Sequence, residues 1–346
     1  MGSPEREAID APPVHLVEVE LSGVDAGGQP TTLTLTPSAP APVDGSRALS
    51  TTSLRITFDR FLLPGEAIRQ AICLQPSAEP VPVLQQCTMG VFLEPSYDPV
   101  FRRITYRLPA SATLVPDTKY WLTVLAPTET SPFGVRAFDG APFEANVVLQ
   151  FTTAAMDPPG GPVDPALDEA AQRAASEELF CAASACVASC AVDDQLCIDK
   201  CPVSKSLTIG CGGCHGPMEL GAAVMGLDLS GVERIPAMIG RVANQTQTGE
   251  QADEADLRPR RFGRAMPHVD PGNAGNSYLL YKMLASPIYT RMAAAAGLAP
   301  GEIDRLRASV VVGLPMPPYD LYAAPQSSLE ALSAWISTGA ETPACP

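Results

Sequence analysis

No apolar run in this sequence approaches the roughly 20 residues that a membrane-spanning helix requires. Met1 to Pro13 is charged and lacks the apolar core, about 7–15 residues long, of a secretory signal peptide. Neither half carries a basic stripe or an interleaved aromatic platform, which argues against nucleic acid as a partner. There is no Ser-His-Asp set, phosphate-cradling glycine loop or metalloprotease pattern, so nothing points to a hydrolase. Histidine is scarce, with 3 in 346 residues, and two of the three are lone.

What is abundant is proline, acid and cysteine. Proline, at 36 residues, is about twice its usual share and favours loops and short strands over long helices. The net charge of −15 is spread over both halves; it favours solubility and, for any charged docking, a partner with a basic patch. Ten cysteines in groups suggest an oxidising compartment, the periplasm or the cell surface. Export is not signalled by the N-terminus, so the start is expected to be processed, trimmed or misassigned.

Residues 14–155 read as a β-sandwich. Short segments alternate apolar and polar residues or are rich in β-formers: His15–Leu21, Leu54–Phe58, Ile104–Leu108, Tyr120–Leu125 and Val147–Thr152. Turn clusters such as Asp25–Pro30 and Pro37–Gly45 separate them, and seven or eight strands are expected. Leu114 to Tyr120 places a tyrosine where its hydroxyl would tie a strand back to the upstream backbone. Cys73 and Cys87 flank a proline-rich excursion and are expected to staple it; two buried thiols are the alternative. On Leu54–Phe58, Leu114–Tyr120 and the Phe151-Thr152-Thr153 ending, this half resembles the Ig-like domains of bacterial surface proteins. That resemblance implies a spacing or adhesive sandwich with no catalytic residues.

Residues 156–166 form a proline- and glycine-rich linker after a terminal stretch, 1–13, expected to be disordered. Residues 167–205 then suggest a helical hairpin. Cys186 and Cys190 lie one turn apart, as do Cys197 and Cys201, so facing pairs would be stapled Cys186–Cys201 and Cys190–Cys197. A redox-active pair or a metal site is the sharper alternative. Cys181 and Cys345 are left to pair with each other.

The sharpest motif is Cys211-Gly212-Gly213-Cys214-His215, which has the spacing that attaches a c-type haem. Two thiols about one helical turn apart can add to the two vinyl groups, and the next imidazole then lies beneath the iron. At this composition the pattern is expected by chance about 0.0025 times. The alternatives are a zinc knuckle, which would want a second paired cluster, or a structural loop.

From Leu207 to Ala340 the chain resembles the class I cytochrome c domains of large secreted bacterial proteins of myxobacterial and planctomycete type. After the pentad come Gly226–Leu229, Val269–Asn273, Ser277–Lys282, Leu314–Pro318 and the helix Ser328–Ser337. The resemblance implies an all-α monohaem cytochrome c domain over residues 206–346, with one covalent haem c on Cys211 and Cys214. His215 would be the proximal iron ligand and Met316 the distal one, a soft thioether that raises the potential. His215 and Met316 are 101 positions apart, longer than a minimal domain needs. That leaves Met266 and His268 as alternative distal ligands, or an open site. Arg258, Arg260, Arg261 and Arg264 could pair with haem propionates or stay in a solvated loop.

The expected molecule is therefore multidomain, β + α: an Ig-like β-sandwich, a disulfide-bonded helical hairpin and a C-terminal all-α cytochrome c domain. Its expected function is single-electron transfer to a redox partner protein, not enzymatic catalysis. A structural or adhesive surface protein, or an electron-accepting subunit of a larger redox enzyme, are the rivals.

Overall fold

The computed structural model describes residues 11–63, 71–76, 94–109, 112–128, 134–158, 174, 180, 190–191, 215–216, 227–229, 232–243, 266–286, 297–309, 316 and 326–341. The chain divides into two compact units, Met1–Asp168 and Glu169–Pro346.

The N-terminal unit is built from two antiparallel sheets. Its strands are β1 (Leu16–Val24), β2 (Pro30–Leu35), β3 (Arg47–Ala48), β4 (Leu54–Phe58), β5 (Ile72–Pro76), β6 (Glu94–Asp98), β7 (Arg103–Arg107), β8 (Lys119–Val124) and β9 (Val147–Thr152). One sheet has the order β2-β1-β4-β7-β6 with β3 paired to β1, and the other is β5-β8-β9. The opposition of β1-β4-β7-β6 to β5-β8-β9 is the strand connectivity of an immunoglobulin-type Greek key, with β2 and β3 added at one side.

Alternation decides which face is inside. Leu35, Val19, Ile56, Ile104 and Tyr97 form one rung across five strands, and all are buried. They join Leu74, Leu122, Leu149 and Phe151 of the second sheet in a single core. The next rung, Thr34, Glu20, Arg55, Thr105 and Ser96, faces outward. There Glu20 accepts from Arg103 at 3.1 Å and lies 3.6 Å from Arg55, so the outer face is held by charge rather than burial alone.

Tyr120 behaves as the sequence suggests. The Val115 N–H donates to its hydroxyl at 2.9 Å, and its ring stacks on the cross-strand Phe151 at 5.7 Å between centroids. A second tyrosine does the same for the other sheet, with the Leu62 N–H donating to Tyr97 at 2.9 Å. The start of the expected linker is not detached: Asp157 accepts from the Ser50 N–H and hydroxyl, both at 2.8 Å.

The C-terminal unit departs from expectation. Among the described residues the protein is mostly β, with two antiparallel sheets and three α-helices, so the multidomain reading with an all-α C-terminal cytochrome c domain is not supported. The helices are α1 (Tyr278–Leu284), α2 (Glu302–Ser309) and α3 (Gln326–Ser337), with 3₁₀ segments at Val232–Met238 and Ala274–Asn276. The physical reason is punctuation. Pro236 sits inside the first 3₁₀ segment, and Gly272, Gly297 and Gly301 take positive φ, which keeps the helices short. Extended segments fill part of the space instead, bridged Ile239–Val269 and Val242–Pro267.

Apart from helical Ala174 and Phe180, and Cys190 and Ala191, the expected hairpin lies outside the described residues. Cys73 and Cys190 are disulfide-bonded. The partners proposed for them, Cys87 and Cys197, lie outside the described residues, as do Cys181, Cys186, Cys201 and Cys345. Among the described residues no helix is long and apolar enough to cross a membrane.

Candidate functional site

The described part of the site is organised by the two ends of α1. All seven side chains of this helix are buried, so its backbone ends cannot rely on water. At the N-terminal end, the Tyr278 and Leu279 N–H groups donate to the carbonyls of Pro267 at 3.0 Å and His268 at 3.1 Å. Toward the C-terminal end, the Lys282 carbonyl accepts from the Met316 N–H at 3.0 Å. The segments bearing Met266 and His268, and the residue Met316, are thus fastened to one short helix because each satisfies an orphan backbone group.

The Met266–Val269 segment is held on its other side by residues 239–243. Ala243 donates to the Met266 carbonyl at 2.9 Å and His268 donates to the Arg241 carbonyl at 2.8 Å. Val242 and Pro267 form an isolated antiparallel bridge, and Ile239 and Val269 a parallel one. Met266 and Ala243 are buried, His268 is half-buried and Arg241 is exposed.

His215 is half-buried, with its Nδ1 atom shielded from solvent. Its carbonyl accepts from Leu229 at 2.7 Å, which ties the pentad's histidine to the Gly226–Leu229 motif. The His215 imidazole lies within electrostatic reach of His268. Burial first, then the Arg241 guanidinium and then His215, together push the His268 imidazole down to about 4. His268 is therefore neutral near pH 7.

Of the expected site residues, His215 lies within electrostatic reach of His268, and backbone hydrogen bonds tie His268 and Met316 to α1. Met316 is half-buried and Met266 is 1 % exposed. Cys211 and Cys214 lie outside the described residues, as do Arg258, Arg260, Arg261 and Arg264. Trp335 packs in the core of this unit, edge-to-face on Phe180 at 4.9 Å, with its indole N–H donating to the Glu341 carbonyl at 2.7 Å. Among the described residues no three His, Cys, Asp or Glu side chains converge as a metal site. The donor chemistry present, a shielded imidazole at the pentad and thioethers on segments packed against α1, fits a haem iron better than a hard divalent cation.

Arg241 is the residue that sequence reading missed. A lone arginine carries no motif, and only the tertiary contact in which the His268 N–H donates to the Arg241 carbonyl brings it within electrostatic reach of His268. No family model matches this chain, and no curated protein matches it either.

Proposed function

We propose that the protein is an exported monohaem c-type electron carrier, periplasmic or at the cell surface. The observation that carries this reading is the Cys211–His215 pentad, whose histidine is half-buried. The haem, when bound, supplies a one-electron ferric/ferrous couple. Cys211 and Cys214 would hold it covalently through thioethers, and His215 would bind the iron. Met316, whose backbone N–H donates to the Lys282 carbonyl, would offer a soft thioether to the same iron. With both ligands supplied by the protein, the group would carry single electrons rather than perform bond chemistry. The disulfides at Cys73 and Cys190 support an oxidising compartment. The charge of −15 suits a redox partner that docks through a basic patch.

Protein matured with a haem-attachment system should keep its haem through denaturation and acid–acetone extraction, and its pyridine adduct should show a c-type band. Complete extraction of the haem, or stoichiometric zinc in its place, would overturn the reading.

A further inference from the structure

We propose that His15 and Glu144, with Asp59 as a positioning residue, form a surface site for a divalent transition-metal cation of zinc's class. The site lies in the N-terminal unit and does not rest on the electron-carrier reading. Main-chain bonds build it. His15 immediately precedes β1, Asp59 directly follows β4, and Glu144 lies shortly before β9. The Asp59 N–H donates to the His15 carbonyl at 3.2 Å, and the Glu144 N–H donates to the Val14 carbonyl at 3.1 Å. Val14 and Phe143 are bridged in parallel, so backbone pairing holds all three residues in place before any ligand arrives.

Asp59 sets the state of the imidazole. One of its carboxylate oxygens accepts from the His15 backbone N–H at 2.7 Å, and the other lies 2.7 Å from Nδ1. An ionised carboxylate only accepts, so Nδ1 carries the proton. The neutral ring then presents its Nε2 lone pair to a second acceptor, Glu144 Oε2, at 3.2 Å. Two acceptors that face each other call for a cation between them. Metal-bound histidines are held in this way, with the remote ring N–H on a carboxylate. The 3.2 Å spacing suits a metal, because two ligands each about 2.0 Å from a tetrahedral zinc stand roughly 3.3 Å apart. The His15 and Glu144 side chains are 45 % and 65 % exposed, so a hydrated cation can enter and keep water in its remaining positions. Two protein ligands converge here rather than three, since Asp59 acts through the ring. The chain's charge of −15 draws cations to its surface.

A proton on Nε2 would meet the same demand, and the test sets the two against each other. The full chain is titrated with zinc chloride near neutral pH, beside His15→Ala, Glu144→Gln, Asp59→Asn and Glu18→Gln, the last a charge control on β1. His15→Ala should bind one zinc fewer than wild type. Asp59→Asn should weaken that zinc by about 10–100-fold, and Glu144→Gln by at least as much, while Glu18→Gln leaves it unchanged. Nitrogen NMR of the ring should show zinc displacing the Nε2 signal and leaving the proton on Nδ1. Equal zinc stoichiometry in wild type and His15→Ala would overturn the site. So would a ring that stays doubly protonated in excess zinc, or an affinity indifferent to Glu144→Gln, the mark of a lone surface imidazole. Zinc held at the Cys211–His215 pentad would survive His15→Ala, so this site and the electron-carrier reading fail separately.

Discussion

The buried ion pair of the sandwich offers the most demanding test of how this fold is held. Arg60 and Asp139 are 0 % and 1 % exposed, and the guanidinium also donates to the Pro12 carbonyl. Asp139 accepts in addition from the Ala141 N–H at 3.2 Å, so one carboxylate both neutralises the arginine and shapes a turn. Asp139→Ala leaves a cation enclosed without its counter-ion, a change that costs about 3–5 kcal/mol. Against a total stability of roughly 5–15 kcal/mol this is a large share. At an m-value of about 2 kcal/mol/M, the urea midpoint should fall by roughly 1.5–2.5 M with unchanged slope. The two tryptophans separate the units: Trp121 lies on β8 and Trp335 on α3, so fluorescence in a Trp335→Phe background reports the sandwich. Replacing both partners, Arg60→Met with Asp139→Leu, should recover most of the loss, because no uncompensated charge remains. A loss below about 1 kcal/mol in Asp139→Ala, or a double variant no better than the single one, would refute the reasoning.

Tyr120→Phe should lower sandwich stability by about 1–2 kcal/mol in the same assay, since the Val115 N–H loses its acceptor while the Phe151 stack remains. Gly23→Ala should cost about 1–3 kcal/mol, because a Cβ there would lie 2.4 Å from the Arg47 carbonyl oxygen of β3, which cannot move aside as a side chain can. In protein made without haem, the C-terminal unit should lose stability on acidification. The native His268 resists protonation until about pH 4 while the unfolded chain takes up the proton near 6.5, so the loss runs from about pH 6.5 down to 4 and is read by chemical denaturation at each pH. In haem-loaded protein, Met316→Ala should abolish the weak near-infrared sulfur-to-iron band and open the ferrous iron to carbon monoxide; retention of the band would move the assignment to Met266.

Several elements were legible in the sequence because they depend on neighbours along the chain. Leu54–Phe58 and Val147–Thr152 were read with the bounds that the structure has, and Arg103–Arg107 and Lys119–Val124 within a residue, since period-two alternation is a local signal. The tyrosine tie at Tyr120 spans five positions, and α3 runs from Gln326 to Ser337 over the stretch read as a helix. The pentad on which the haem proposal stands is local too, being five consecutive residues. Strand β6, Glu94–Asp98, hides behind Pro95 and two carboxylates, which a sheet tolerates at an edge but which no strand pattern announces.

Tertiary structure decided what depends on residues far apart in the chain. Arg60 and Asp139 are separated by 79 positions, and neither residue type signals the other. The expectation of an all-α C-terminal domain failed because motif order says little about the conformation between motifs. There, prolines and positive-φ glycines shorten the helices, and residues 239–243 pair with 266–269 instead. The same contact joins the His268 N–H to the Arg241 carbonyl, and the capping demands of one buried helix fastened Met316 to Lys282 and His268 to Leu279. By itself the sequence determined the local Cys-x-x-Cys-His pattern at Cys211 to His215. What packs around α1 was decided only in three dimensions, because backbone groups shut away from water must find partners wherever the fold supplies them.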